Sequence, residues 1–207
     1  MLYSSDLREA LAWVIQDIHH KGWATGTGGN FSAVLRREPL TLLMAPSGVD
    51  KGLVTPADLI EVNSTGQVIA GQGKASAETL IHLEIVQSTT AGAVLHSHSP
   101  LGTVVSCRAQ ADGQVVWSGY EMLKGLEGIT THEAIVTLPV LPNSQAMDTL
   151  AHQIQNLLQQ NPPYGVLLAG HGLYTWGETL GQARRHLEIL EFLLEVTYYQ
   201  NCHSHTH

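Results

Sequence analysis

Cysteine is nearly missing from the chain: Cys107 and Cys202 are the only two in 207 residues. A pair so sparse and so far apart is no disulfide framework of the kind small secreted domains depend on, and it reads as two free thiols. Positive charge is scarce as well. Ten Lys plus Arg stand against eighteen Asp plus Glu, a formal net charge of −8, which excludes a broad basic face for nucleic acid or anionic lipid. A small anionic ligand would need a local pocket instead. Long apolar runs are absent too, since no stretch approaches the roughly 20 residues that cross a bilayer. The opening segment carries Asp6, Arg8, Glu9 and Asp17 where a secretory signal needs an uninterrupted apolar core. These absences point to a cytoplasmic protein with no nucleic-acid or membrane partner.

Hydrophobic residues make up 43% of the chain and charged residues 14%, a balance that buries a sizeable core. One domain over residues 1–200 suffices for this length, with 201–207 as a disordered tail. Histidine is the residue in excess, at twelve. Three of them, His203, His205 and His207, alternate in the tail and receive no role.

Leu7, Leu11, Val14, Ile15 and Ile18 recur at helical spacing behind Asp6, and Gly22 is a stop. Strand-like runs follow at 30–35 and 41–45. Thr55-Pro56 opens a short helix, and 60–62 with 67–70 flank the hairpin signal Asn63-Ser-Thr-Gly66. Ser76 is expected to start a helix reaching about Thr90. A strand over 92–98, a helix from Ser99-Pro100, strands at 115–117 and 134–140 and a helix over 144–160 come next, before the break at Asn161-Pro-Pro163. The last third reads as strand 165–169, a Gly170-His-Gly172 turn, strand 173–176 and a helix from Thr179 whose buried stripe is Ala183, Leu187, Leu190 and Leu194. The mixture predicts an α/β fold with a largely antiparallel sheet flanked by helices.

Residues two apart on a strand share a face, so His96 and His98 form a two-pronged ligand near a strand end. His171, between two glycines at a turn, can supply a third nitrogen. Three protein ligands with one open position is the catalytic arrangement for zinc. His-x-His alone fits two polar residues at a strand mouth just as well. Thr27-Gly28-Gly-Asn30, Ser47-Gly48 and Ser76 are small polar turn or helix-start residues whose backbone N–H groups suit an anion, or are ordinary turns and caps.

Five segments, in order, resemble the class II aldolase superfamily: Thr25-Gly-Thr-Gly-Gly-Asn-Phe-Ser32, Ala45-Pro-Ser-Gly48, Lys74-Ala-Ser-Ala-Glu78, Ala93-Val-Leu-His-Ser-His98 and Ala169-Gly-His-Gly-Leu173. The resemblance runs from about Leu7 to Tyr198. It implies a three-layer α/β/α sandwich, a Zn2+ ion in each subunit on His96, His98 and His171, and a sugar-phosphate substrate. It also implies a homo-oligomer, commonly a cyclic tetramer, with sites near subunit contacts. Thr27, Gly28, Asn30, Ser47, Gly48 and Ser76 match the superfamily's phosphate cradle. Ser47-Gly-Val-Asp-Lys51, Tyr120-Glu-Met-Leu-Lys-Gly125 and Tyr174-Thr-Trp-Gly-Glu178 are most similar to its dehydratase branch, which serves methionine salvage. Glu121 then matches the dehydratase acid/base, and Glu78 matches the glutamate that the sugar-phosphate aldolases use beside the metal. Dehydration by Glu121 is expected; aldol cleavage or epimerisation by Glu78 is the alternative. By pattern alone, Glu78 is a helix-dipole partner and Glu121 a surface residue paired with Lys124.

Overall fold

A computed structural model describes residues 6–160 and 164–203; the break at Asn161-Pro-Pro163 and the tail residues His205 and His207 lie outside the described residues. The first apolar repeat folds as α1 (Leu7–His20), with the Asp6 carboxylate accepting from the Arg8 N–H at 2.8 Å. After it come β1 (Asn30–Arg37), β2 (Leu40–Met44), β3 (Ile60–Asn63), β4 (Val68–Ala70), α2 (Thr79–Ser88), β5 (Ala93–Ser97), α3 (Pro100–Arg108), β6 (Gln114–Trp117), β7 (Val136–Leu141), α4 (Met147–Gln160), β8 (Gly165–Leu168), β9 (Gly172–Gly177) and α5 (Leu180–His203). Short 3-10 turns occupy Pro56–Asp58 and Glu121–Gly125. Both cysteines are free and exposed.

The strands form one sheet in the order β4-β3-β2-β1-β5-β9-β8-β7-β6. Every neighbouring pair is antiparallel except β7 and β8, which run parallel. The exception has a cause in the connection: α4 carries the chain back along the sheet, as a parallel pair requires. Alternation along the strands sorts the core into two faces. Leu43, Leu95, Leu167 and Leu173 join Leu11, Ile15, Val105 and Leu190 in one cluster, so α1, α3 and α5 cover that side. Their sequence neighbours Leu42, Val94, Val166 and Tyr174 join Ile81, Ile85, Leu150 and Ile154 under α2 and α4. The result is the α/β/α sandwich that the resemblance implied. The predicted stripe on α5 is fully buried at Ala183, Leu187, Leu190 and Leu194.

Two helices start later than expected, both for the same reason. The Ser76 hydroxyl accepts from the Glu78 N–H at 3.2 Å, and that of Ser144 accepts from Ala146 at 3.1 Å. A serine that bonds the backbone two residues ahead holds a turn in place of a first helical turn. Ser76 therefore sits in the turn before α2, and Glu78, expected within the first turn, is its N-cap.

His82, on α2, is buried beneath the sheet. The Ser32 hydroxyl lies 2.7 Å from its Nδ1, the Tyr174 ring meets it edge-on at 5.8 Å, and Nε2 has no partner. Burial, partly offset by the negative charge of Glu78, pulls its pKa down to about 4. A histidine with a folded pKa below its unfolded one contributes full stability above about pH 6.5 and loses it as pH falls toward the folded value. Denaturant titrations should show His82 alone costing about 2 to 3 kcal/mol between pH 7 and pH 4.5. His82→Gln should flatten the wild-type slope by that amount; equal slopes for the two proteins would show that His82 does not titrate this way.

Candidate active site

β5 lies at the centre of the sheet with β1 and β9 on either side, and His96 pairs in register with Asn30 and Tyr174. His98 follows one residue past the strand, where its N–H donates to the Trp23 carbonyl at 2.7 Å. His171 occupies the β8–β9 turn, closed by its N–H on the Leu168 carbonyl at 3.0 Å. Gly172 lets that turn approach. A Cβ there would fall 2.0 Å from the Ser97 carbonyl oxygen and 3.1 Å from both the His96 and His98 rings.

The three rings meet through Nε2: His98 to His96 at 2.8 Å, and His96 to His171 at 3.3 Å. The His96 Nδ1 lies 3.1 Å from the Leu173 carbonyl, which can only accept, so Nδ1 carries the hydrogen and Nε2 presents its lone pair to the cluster. Tyr174 stacks on the ring at 3.8 Å and 9° and fixes its plane. Burial first, then the charges of His98 and His171, holds His96 well below the usual histidine range, in the neutral form that ligates. Ring nitrogens this close need a hydrogen or a cation between them. A zinc ion about 2.0–2.1 Å from each nitrogen of a tetrahedral site would space them about 3.3 Å apart. The donor set therefore fits a divalent metal, and His96, His98 and His171 are the group able to hold one among the described residues.

Glu78 stands directly beside the cluster. Its Oε1 is 3.1 Å from the His171 Nε2, its Oε2 is 3.9 Å from the His96 Nε2, and Asn30 donates its side-chain amide to it. Burial opposes ionisation, but the hydrogen bond and charge of His171, with His82 and His98 behind it, leave the carboxyl below its ordinary range. Glu121, on which sequence reasoning placed the proton transfer, is elsewhere. It opens the 3-10 turn after β6, is exposed, and pairs with Lys124 at 2.5 Å and His132 at 3.9 Å. The Lys124 hydrogen bond and charge lower its pKa. Within one chain, then, Glu121 makes the i,i+3 pair that pattern alone gives, and no histidine of the trio is among its partners.

Of the expected phosphate segments, the one over 27–30 lies against the trio and the others are joined to it through loops. Gly28 lies flat on His98, where a Cβ would come within 2.9 Å of Nδ1, and Gly29 takes φ +80° against the His96 carbonyl. The loop holding Thr27 and Asn30 can approach β5 because these two residues lack side chains. Ser47 donates its N–H to the Lys74 carbonyl at 2.8 Å, which joins the Ser47-Gly48 turn to the segment leading into Ser76. Lys51, given no role by sequence reasoning, ties the first two segments together. Its buried ammonium donates to the carbonyls of Thr27 at 3.0 Å and Val49 at 3.1 Å, and its positive charge reaches His98. Burial lowers its pKa, with Asp50 partly offsetting. A lysine in a polar turn reads as solvated, so its place in the Ser47-Gly-Val-Asp-Lys51 segment suggested no role. A separate cleft of ≈ 480 Å³, lined in part by Tyr164, Trp176 and His186, contains none of the three histidines.

Residues 9–198 match the family described as the Class II Aldolase and Adducin N-terminal domain. The chain belongs to that family. The methylthioribulose-1-phosphate dehydratase of Sorangium cellulosum (strain So ce56) is 42% identical over 180 residues, covering 86% of this chain and 84% of the relative. That of Xanthomonas campestris pv. campestris (strain 8004) is 40% identical over 190 residues, covering 91% and 87%. Among solved structures, YgbL of Escherichia coli, a putative aldolase/epimerase/decarboxylase, superposes with TM-score 0.80 at 28% identity, covering 93% of this chain and 88% of that one. The L-fuculose-1-phosphate aldolase of Thermus thermophilus shares the fold, with TM-score 0.76 at 24% identity over 96% of each chain. In this class II aldolase domain the residue ranges 25–32, 45–48, 74–78, 93–98 and 169–173 all border the histidine trio or the loops tied to it.

Proposed function

We propose that this chain is a zinc-dependent hydro-lyase that removes water from 5-methylthioribulose 1-phosphate, yielding 2,3-diketo-5-methylthiopentyl 1-phosphate in L-methionine salvage. The observation that carries the reading is the convergence of three imidazole nitrogens at the centre of a fold shared with dehydratases 40–42% identical to it. A divalent ion held by His96, His98 and His171 would polarise the substrate's C2 carbonyl and stabilise negative charge developing there.

The rest of the chemistry belongs to side chains. Thr27, Gly28, Asn30, Ser47, Gly48 and Ser76 hold the 1-phosphate through hydroxyl, amide and backbone N–H groups. Glu121 takes the C3 proton, and a proton returned from its carboxyl to the C4 hydroxyl lets water leave. The C3 enol left behind then becomes the ketone as C4 gains a proton. Glu78 keeps Asn30 and His171 in place and supplies a second carboxylate at the reacting carbons. Glu121 is solvent-facing and paired with Lys124 and His132 away from its own trio, and in this reading it works in the site of a neighbouring subunit of a homotetramer. No helix of the described residues is long and apolar enough to cross a membrane, which supports the cytoplasmic reading.

A second reading, aldol cleavage or epimerisation of a related sugar phosphate, draws on one observation: Glu78 is the carboxylate already at the trio. Products separate the two. Incubated with methylthioribulose 1-phosphate, the protein should form a dioxo phosphate that keeps all five pentose carbons. Release of a dihydroxyacetone phosphate fragment would overturn dehydration.

A further inference from the structure

Ser97 and Ser99 alternate with the two ligand histidines, so the strand's pleat turns Ser97 to the sheet face opposite His96. Both serine hydroxyls donate to one buried carboxylate of α5: Ser97 to Glu191 Oε1 and Ser99 to Glu191 Oε2, each at 2.5 Å. Glu191 is 3% exposed, and among the described residues no lysine or arginine forms an ion pair with it. An unpaired buried carboxylate costs free energy unless hydrogen bonds offset the lost hydration. Here the two hydroxyls that offset it belong to the residues on either side of His98. Ser99 is also the N-cap of α3, its hydroxyl accepting from the Gly102 N–H at 3.0 Å. One carboxylate thus ties the end of β5, the start of α3 and the middle of α5 together directly behind the histidines.

We propose that Glu191 is a positioning residue for the metal centre, setting the spacing of His96 and His98 by gripping the peptide on both sides of His98. This rests on the metal reading of the trio, and the test keeps the two apart. Co2+ serves as the probe: the full-length protein is stripped, loaded with Co2+, and followed by its visible ligand-field bands and by competition against a chelator. Groups that orient metal ligands typically change affinity about 10- to 100-fold when removed. Glu191→Ala should weaken Co2+ affinity by that factor and shift the bands. Glu191→Gln, which keeps the shape and one acceptor oxygen, should fall between Ala and wild type, and Ser97→Ala with Ser99→Ala should match Glu191→Ala.

Should Glu191→Ala fail to fold, the Gln and serine variants carry the test. An affinity and spectrum unchanged in folded Glu191→Gln and in the serine double variant would overturn the proposal, whatever happens to their melting temperatures, because a purely structural anchor moves only the latter. Wild-type protein that takes up no Co2+ would overturn the metal reading and this inference with it.

Discussion

Glu121→Gln should retain the fold and the bound metal yet turn over about 100- to 10,000-fold more slowly, the usual cost of losing a general acid–base group. Glu78→Gln should lose a comparable factor. Glutamine is nearly isosteric, so the loss reports proton transfer and charge more than packing. The two variants also test where the carboxylates act. Glu78 touches His171 of its own chain, whereas Glu121 is exposed on its own subunit and paired with Lys124. If Glu121 serves a neighbour's trio, co-expressed mixtures of the two inactive variants form some sites with an intact Glu121 and an intact Glu78. Random mixing around a ring of head-to-tail contacts gives about a quarter of sites intact. Activity recovered toward that fraction supports a shared site; no recovery places both carboxylates in one chain. Near-native turnover by Glu121→Gln would remove it as the base altogether.

Loss of a ligand should be more severe. His96→Ala removes the central nitrogen of the trio, the one within 2.8 Å of His98 and 3.3 Å of His171, and two remaining imidazoles make a poor zinc site. Metal analysis should find the ion gone from the purified variant, with turnover at background. In the wild type, chelation should abolish activity and added Zn2+ should restore it. Stability supplies an independent readout. An ion present at about 100 times its dissociation constant stabilises the folded state by about 2.7 kcal/mol. For a domain of this size that corresponds to roughly 5–10 °C in melting temperature. Full activity in metal-free wild-type protein would end the zinc proposal.

Much of the fold was legible because its signals are local. Period-two alternation separates Leu42 from Leu43 and Val94 from Leu95 onto opposite faces, and the α5 stripe follows helical spacing. Where reading stopped one step short, a side chain competed with the backbone, as Ser76 and Ser144 do ahead of α2 and α4. The site was legible where ligands lie two residues apart on one strand, as with His96 and His98. It was not legible where partners come from distant segments. The Glu191 carboxylate meets serines more than ninety positions earlier, and Lys51 is buried by loops that only folding brings together. Spacing likewise gave no means of ranking Glu78 above Glu121 as a neighbour of the trio, since that ranking depends on how α2 begins against β1 and β5.

The contact at Gly172 has a consequence for how such a site can change over time. His171 is set in place by main chain meeting main chain, because any carbon beyond the α-position would strike the Ser97 carbonyl. Remodelling of nearby side chains therefore cannot raise or lower that ring by degrees. The loops over 25–30 and 47–51 meet no such collision along their outer edges, where a Cβ at Gly26 or Gly48 would touch nothing within 4 Å and only the positive φ of each, +61° and +77°, disfavours a side chain. Selection for a new phosphorylated sugar can act on those edges while the imidazole cluster stays fixed, so that what the domain recognises can drift independently of the three histidines.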